Sequence, residues 1–410
     1  MGKRSAAAAS ANVSTEASSD CSQQAVVQLL DNSQRTLFCN PKCTGEALFL
    51  AVARLLDVAE KEYFALSFKD DRGQRVPIFA RTSITRLLQW QRWVYANKSV
   101  SRQLRGRPWE FHWEVKFYPK DPSQLSDECA RFQLYLQLRK DIYSGRLPAS
   151  AEKVASLGAL QAQAEVGDAP ADGNDDRNPA YDDYLSHMHN VHVDERLRAA
   201  IELQHKQQKG LPKVDAEAAY IDACHDLAMY GVWLFPAKDD KSNAVFVGIG
   251  SAGISSYRDR LRIHRFKWQD IVRISFRRSV FSVRVKSEVL EKGSKEQEVS
   301  FRCLTHEDAK AVWKCGVEHH TFFRYEFEMR RAYHRAYRLM QPEDKPKRRL
   351  FPWGSLRFSY RGRTQMQTMM ASQMFDKPGG TLQRPHSAAL ADSTSRQNGK
   401  RLGVRSKAGE

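Results

Sequence analysis

No apolar run in the 410-residue chain approaches the roughly 18 to 20 residues that a membrane-spanning helix needs. The opening residues, MGKRSAAAASANVSTEASSD, contain no apolar stretch like a signal core, so any membrane contact is expected from the cytosolic side. Gly2 is followed by Ala6 where a myristoylation site wants Ser or Thr. Cysteine is sparse and odd in number: seven thiols lie at 21, 39, 43, 129, 224, 303 and 315. The closest pair, Cys39 and Cys43, has three intervening residues rather than the two of a zinc knuckle, which reads as reduced thiols in a cytosolic protein. There is no GxSxG elbow, no Walker loop and no phosphatase-type Cys–Arg loop, and GIGSAG at 248–253 lies between strand patterns instead of opening a helix. The chain is therefore read as a non-enzyme without metal or cofactor.

Positive charge is abundant and localised. The formal net charge is +17. Residues 254–286 hold ten Lys/Arg against two Asp, and 330–363 hold eleven against Glu343 and Asp344, so these two segments carry +8 and +9. Two concentrated basic surfaces call for an anionic partner: lipid headgroups, acidic peptide or nucleic acid. In the first segment the candidate contacts are Arg258, Arg260, Arg262, Arg265 and Lys267. In the second, KPKRR at 345–349 suits either a nuclear import signal or an electrostatic membrane anchor, and RGRT makes Thr364 a phosphorylation candidate whose phosphate would subtract about two charges.

Hydrophobic period divides the chain into three folded regions. After an Ala/Ser-rich tail at 1–22, AVVQLLDNSQRTLFCN reads as two strands around an Asp-Asn-Ser turn. TGEALFLAVARLLDV follows as a helix capped by Thr44, with Leu48, Val52 and Leu55 at helical spacing. EYFALSF and FHWEVKFY are strands bracketing a short helix, SITRLLQW, and a basic stretch at 91–107. This order is that of a ubiquitin-like β-grasp. Residues 121–231 then carry four helical patterns, the first with Phe132, Tyr135, Leu136 and Ile142 on one side, interrupted by an acidic loop at 165–183. From residue 232 the period becomes alternating. Seven short strands and a helix from about Thr305 describe a pleckstrin-homology or phosphotyrosine-binding type sandwich.

On that closing helix, GVEHHTFF at 316–323 sets His319 beside His320. Helical neighbours diverge by about 100°, so the two rings face different surroundings and make a poor metal pair. The wheel predicts His320 in the core and His319 on the flank with Val312, Gly316 and Phe323. With Val272, Ile274 and Phe276 of the fifth strand, that flank would line a groove for a peptide added as an extra strand.

Several long stretches carry a family resemblance: VKFYPKDPSQLSDECARFQLYLQLRKDIYSGRLP at 115–148, YIDACHDLAMYGV at 220–232, FKWQDIVRISFRRSVFSV at 266–283 and WKCGVEHHTFF at 313–323. Over residues 23–331 the chain resembles the three-lobed FERM domain of the protein 4.1 branch, and FPWGSLRFSYRGRTQMQT at 351–368 resembles the FERM-adjacent segment. The resemblance implies an α+β multi-lobed protein: a ubiquitin-like first lobe at 23–118, a four-helix, acyl-CoA-binding-protein-like middle lobe at 119–231, and a PH/PTB-like third lobe at 232–331. A basic regulatory segment at 332–375 and disordered tails at 1–22 and 376–410 complete the expected organisation. It further implies an adaptor at the cytoplasmic face of the plasma membrane and cell cortex, joining tails of transmembrane proteins and phosphoinositides to the cytoskeleton and to actomyosin organisation. The alternatives are a nucleic-acid-associated basic protein, or the targeting part of a larger FERM-bearing protein such as a tyrosine phosphatase.

Overall fold

In the computed structural model, residues 13–15, 22–69, 91–169, 179–186, 194–258, 261–286 and 296–336 are described, the last helix with side chains to Phe323. The SITRLLQW helix, Arg260, KPKRR, Thr364 and the FERM-adjacent segment lie outside the described residues.

The first sheet comprises β1 (Val13–Ser14), β2 (Gln23–Gln28), β3 (Gln34–Cys39), β4 (Phe64–Lys69), β5 (Gln91–Trp93) and β6 (Glu110–Val115), in the order β1-β3-β2-β6-β4-β5. Only β2 and β6 pair in parallel, which is the β-grasp crossover. The β2–β3 hairpin turns where expected: Asn32 adopts φ 64°, and the Asp31 carboxylate accepts from the Ser33 amide at 2.9 Å. Helix α1 (Gly45–Leu55) starts at Thr44, whose hydroxyl accepts from the Ala47 amide. Leu48 and Val52 enter the core, whereas Leu55, expected with them, is 40% exposed because the helix ends there. Trp113 of β6 fills the centre, stacked between Phe49 and Phe64 at 5.4 and 5.2 Å. One expectation changes in this lobe. Val13 and Ser14, placed in a disordered tail, instead pair with Cys39 and Phe38 of β3, and Val13 is buried. The basic stretch at 91–107 supplies β5 and helix α2 (Val100–Leu104).

The middle lobe contains five helices among the described residues: α3 (Glu128–Tyr143), α4 (Ala151–Val166), α5 (Pro179–Ser186), α6 (Glu195–Gln207) and α7 (Lys213–His225). Helix α3 is buried on nearly every side, from Phe132 and Leu134 to Gln137 and Asp141, so its pattern is not one-sided as expected. It packs on α7 and on β6, while α4 packs on α6 and α7. Helix α5 corrects the acidic-loop reading at its C-terminal end. Tyr181 and Tyr184, three apart, drive it into the lobe, with Tyr184 donating to the Val154 carbonyl and Tyr181 bonding to His205.

The third lobe is a seven-stranded antiparallel sheet in the order β10-β9-β8-β7-β13-β12-β11. Its strands are β7 (Trp233–Lys238), β8 (Ala244–Gly250), β9 (Gly253–Arg258), β10 (Leu261–Lys267), β11 (Ile271–Arg277), β12 (Val280–Lys286) and β13 (Glu296–Arg302). Helix α8 (His306–Ala336) packs over β11, β12, β8 and β9. Thr305 and Asp308 cap it reciprocally at 3.0 and 3.1 Å. GIGSAG forms the β8–β9 turn, where Gly253 has φ 143° and any Cβ would sit 2.0 Å from the Phe266 carbonyl oxygen of β10. Only glycine fits there.

Candidate peptide and lipid interface

Among the described residues strand β11 ends its sheet and pairs only with β12, leaving one backbone edge unused by sheet pairing there. Its register shifts between Ile271 and Arg273, which turns Val272 outward at 45% exposure. Along this edge α8 supplies an aromatic wall. The Phe276 ring lies 5.2 Å from Trp313 and 5.5 Å from His306, whose Nδ1 donates to the Arg278 carbonyl at 3.0 Å. Farther along, Gly316 lets α8 approach β11 closely, since a Cβ there would stand 3.1 Å from Ile274 Cδ1. His320, half-buried, meets Trp268 at 5.4 Å.

The structure therefore keeps Ile274 and Phe276 against α8, the former at Gly316, leaves Val272 exposed on the same strand, and moves the helix flank. Val312, His319 and Phe323 are buried, at 0%, 1% and 6% exposure, and cannot meet an incoming peptide. The accessible side of α8 is instead His306, Trp313 and His320, while Gly316 is buried against Ile274. The two histidines exchange the places expected for them. His319 faces the first lobe, its ring edge-on to Phe117 at 4.9 Å, and Phe322 stacks on the same Phe117 at 4.3 Å. Its Nδ1 donates to the Cys315 carbonyl at 2.9 Å, which leaves Nε2 as a buried acceptor without a hydrogen-bond partner. Burial, reinforced by the Lys116 charge and opposed by the Cys315 bond, pushes its pKa down to about 3, so the ring is neutral.

This seam between lobes continues through charged groups. Lys116 pairs with Glu318 at 2.9 Å, both side chains nearly buried, and Lys314 donates to the Tyr95 hydroxyl at 2.6 Å. The Arg146 guanidinium lies 3.7 Å from the Trp233 ring centroid, and Trp233 Nε1 donates to the Lys116 carbonyl. Beside the seam, a cleft of about 520 Å³ opens between the first and third lobes. Arg92, Lys98, Arg102 and Arg105 line one wall, and Lys310 and Lys314 with Glu307, Asp308 and Glu318 line the other. Sequence reasoning did not find this cleft. Its signal was the basic stretch at 91–107, but the facing wall lies some two hundred residues away.

The basic candidates gather at the far edge of the third sheet. Arg262, Arg265 and Lys267 are exposed on β10, and Arg258 at the end of β9 bridges Asp239 at 3.3 Å. In the pairing order five strands lie between the basic edge and the peptide edge, and the turn closed by the Asp270 amide on the Lys267 carbonyl joins the two edge strands. Among the described residues no group of three or more His, Cys, Asp or Glu side chains could hold a metal ion, and no helix is long and apolar enough to cross a membrane. Among the described residues Cys39, Cys43, Cys129, Cys224, Cys303 and Cys315 stand outside any disulfide.

Three lobes of these folds, joined in this order, define a FERM module. Family profiles for the FERM N-terminal domain, the FERM central domain and the FERM C-terminal PH-like domain match residues 27–106, 120–235 and 239–331. The chain is 36% identical over 376 residues to human band 4.1-like protein 3, covering 91% of this chain and 31% of that protein. It is 33% identical over 368 residues to bovine protein 4.1, covering 90% of this chain and 53% of that protein. The chain belongs to the band 4.1 branch of the FERM family, and spans about a third to a half of the length of these relatives. Among solved structures, the FERM and C-terminal domain complex of Drosophila Merlin shares the fold with a TM-score of 0.60 at 20% identity, over 77% of this chain and 99% of that one. The myosin VII MyTH4-FERM MF2 domain of Dictyostelium discoideum gives a TM-score of 0.54 at 13% identity, over 71% and 57%.

Proposed function

We propose that the chain is a non-enzymatic adaptor that ties cytoplasmic tails of membrane proteins to the cortical cytoskeleton, working at the cytoplasmic face of the membrane. The observation that carries this reading is the unused edge of β11 beside the aromatic wall of Trp313 and His306. An extended tail segment adds there as an eighth strand: backbone hydrogen bonds supply affinity, and the wall selects side chains. Anionic headgroups, phosphoinositides among them, meet Arg258, Arg262, Arg265 and Lys267, with the basic cleft as a second surface for negative charge. Recruitment of membrane proteins to such a module contributes to cortical actomyosin organisation.

The test is fluorescence polarisation with a panel of juxtamembrane peptides, run beside vesicle co-sedimentation and a DNA titration. Saturable binding of a subset of peptides, lost on Phe276→Ala, is the expected result. Salt-sensitive DNA binding with indifference to peptide and lipid would replace this reading with the nucleic-acid one.

A further inference from the structure

The antiparallel register of the third sheet brings one end of every strand into a single row. Leu261 is opposite Arg258, Lys238 is opposite both Ala244 and Arg302, Arg302 is opposite Val280, and Val280 is opposite Arg277. Two large apolar side chains project from this row, Leu261 at 75% exposure and Leu304, just beyond β13, at 53%. Around them stand the exposed cations Arg258, Arg262, Arg278 and Arg302. The nearby carboxylate of Asp239 is engaged by the Lys241 and Asn243 amides and by Arg258. The opposite end of the sheet holds Trp233, which packs on Arg146 and Trp93, so the row points away from the middle lobe.

Isolated exposed leucines on a soluble surface are ordinary. Here both stand at strand ends with exposed arginines beside them, the pattern by which a surface places apolar groups below lipid headgroups and cations among them. An acidic peptide or a nucleic acid would use the arginines and leave the two leucines in water. We propose that this end of the third lobe docks on an anionic bilayer, with Leu261 and Leu304 entering the interfacial layer and Arg258, Arg262, Arg278 and Arg302 contacting lipid headgroups. The proposal rests on the membrane reading above and adds to it an orientation and an apolar contribution. The orientation has a consequence for the peptide edge. Strand β11 finishes at Arg277 in the same row, so a tail whose N-terminal end lies at the membrane would start there and run antiparallel toward Ile271.

The test is co-sedimentation of the full chain with phosphatidylcholine vesicles, with and without phosphatidylserine, across a salt series. The double variant Leu261→Ser/Leu304→Ser leaves every charge in place, and its folding is checked by circular dichroism. It should bind phosphatidylserine vesicles about tenfold more weakly and lose the residual binding that wild type keeps at high salt. Arg258→Gln/Arg302→Gln should instead flatten the salt dependence. The basic segment at 330–363 contributes charge to both proteins alike, so it does not mask the leucine effect. Equal binding by the leucine variant and wild type would overturn the docking while leaving the membrane reading intact. Failure of wild type to bind any anionic vesicle would overturn both.

Discussion

His319 meets Phe117 edge-on, ring centroids 4.9 Å apart, and so fastens the closing helix of the third lobe to the segment that leaves the first-lobe sheet. His319→Ala should therefore act on stability, at about 2–4 kcal/mol, because it empties a fully buried site between lobes. His320→Ala, at the half-buried contact with Trp268, should cost less than about 1 kcal/mol. Urea midpoints for both variants decide the assignment, and the reverse ranking would contradict it.

Acid sensitivity follows from the same ring. The folded pKa of His319 lies at about 3, below its ordinary 6.5, so between these values the unfolded chain binds the extra proton and falling pH favours unfolding. Its contribution is fully present above pH 6.5 and declines toward about pH 3, by at most ~1.4 kcal/mol per pH unit. His112 and His205, both lowered chiefly by burial, act in the same direction. Urea titrations at several pH values should show a shallower acid decline for His319→Leu than for wild type.

Lys116 and Glu318 test whether the seam is energetically coupled. Glu318→Gln leaves a lysine beside the Trp93 and Phe117 rings without its carboxylate, and should destabilise by about 3 kcal/mol. The double variant Lys116→Met/Glu318→Leu should recover much of this. A double-mutant cycle with no coupling would remove the pair from the account.

Gly253→Ala places a methyl group 2.0 Å from the Phe266 carbonyl at φ 143°. The β9–β10 pairing must open to accept it, so the third lobe should lose several kcal/mol, read as a lower thermal midpoint.

The strands and caps were legible in the sequence because their signals are local. Alternation marked all seven strands of the third lobe, Asp31-Asn32-Ser33 marked a turn, and Thr44 marked a helix start. What escaped depends on partners distant in the chain. A helical wheel separates His319 from His320 by about 100°, but does not say which of them meets Phe117, some two hundred residues earlier. Helix α3 has no apolar face to read because α7 and β6 enclose it from different sides. Helix α5 was hidden by acidic composition, although Tyr181 and Tyr184 carried its spacing. The cleft walls come from separate lobes, and only the fold brings them together.

Strand addition at β11 is tested most directly by backbone amide hydrogen exchange with and without a bound juxtamembrane peptide. Binding should slow exchange in Val272–Arg277, with weaker protection on α8 around Trp313 and Gly316, and Phe276→Ala should abolish it with about tenfold loss of affinity. Protection confined to the first or middle lobe, with β11 unchanged, would contradict the account.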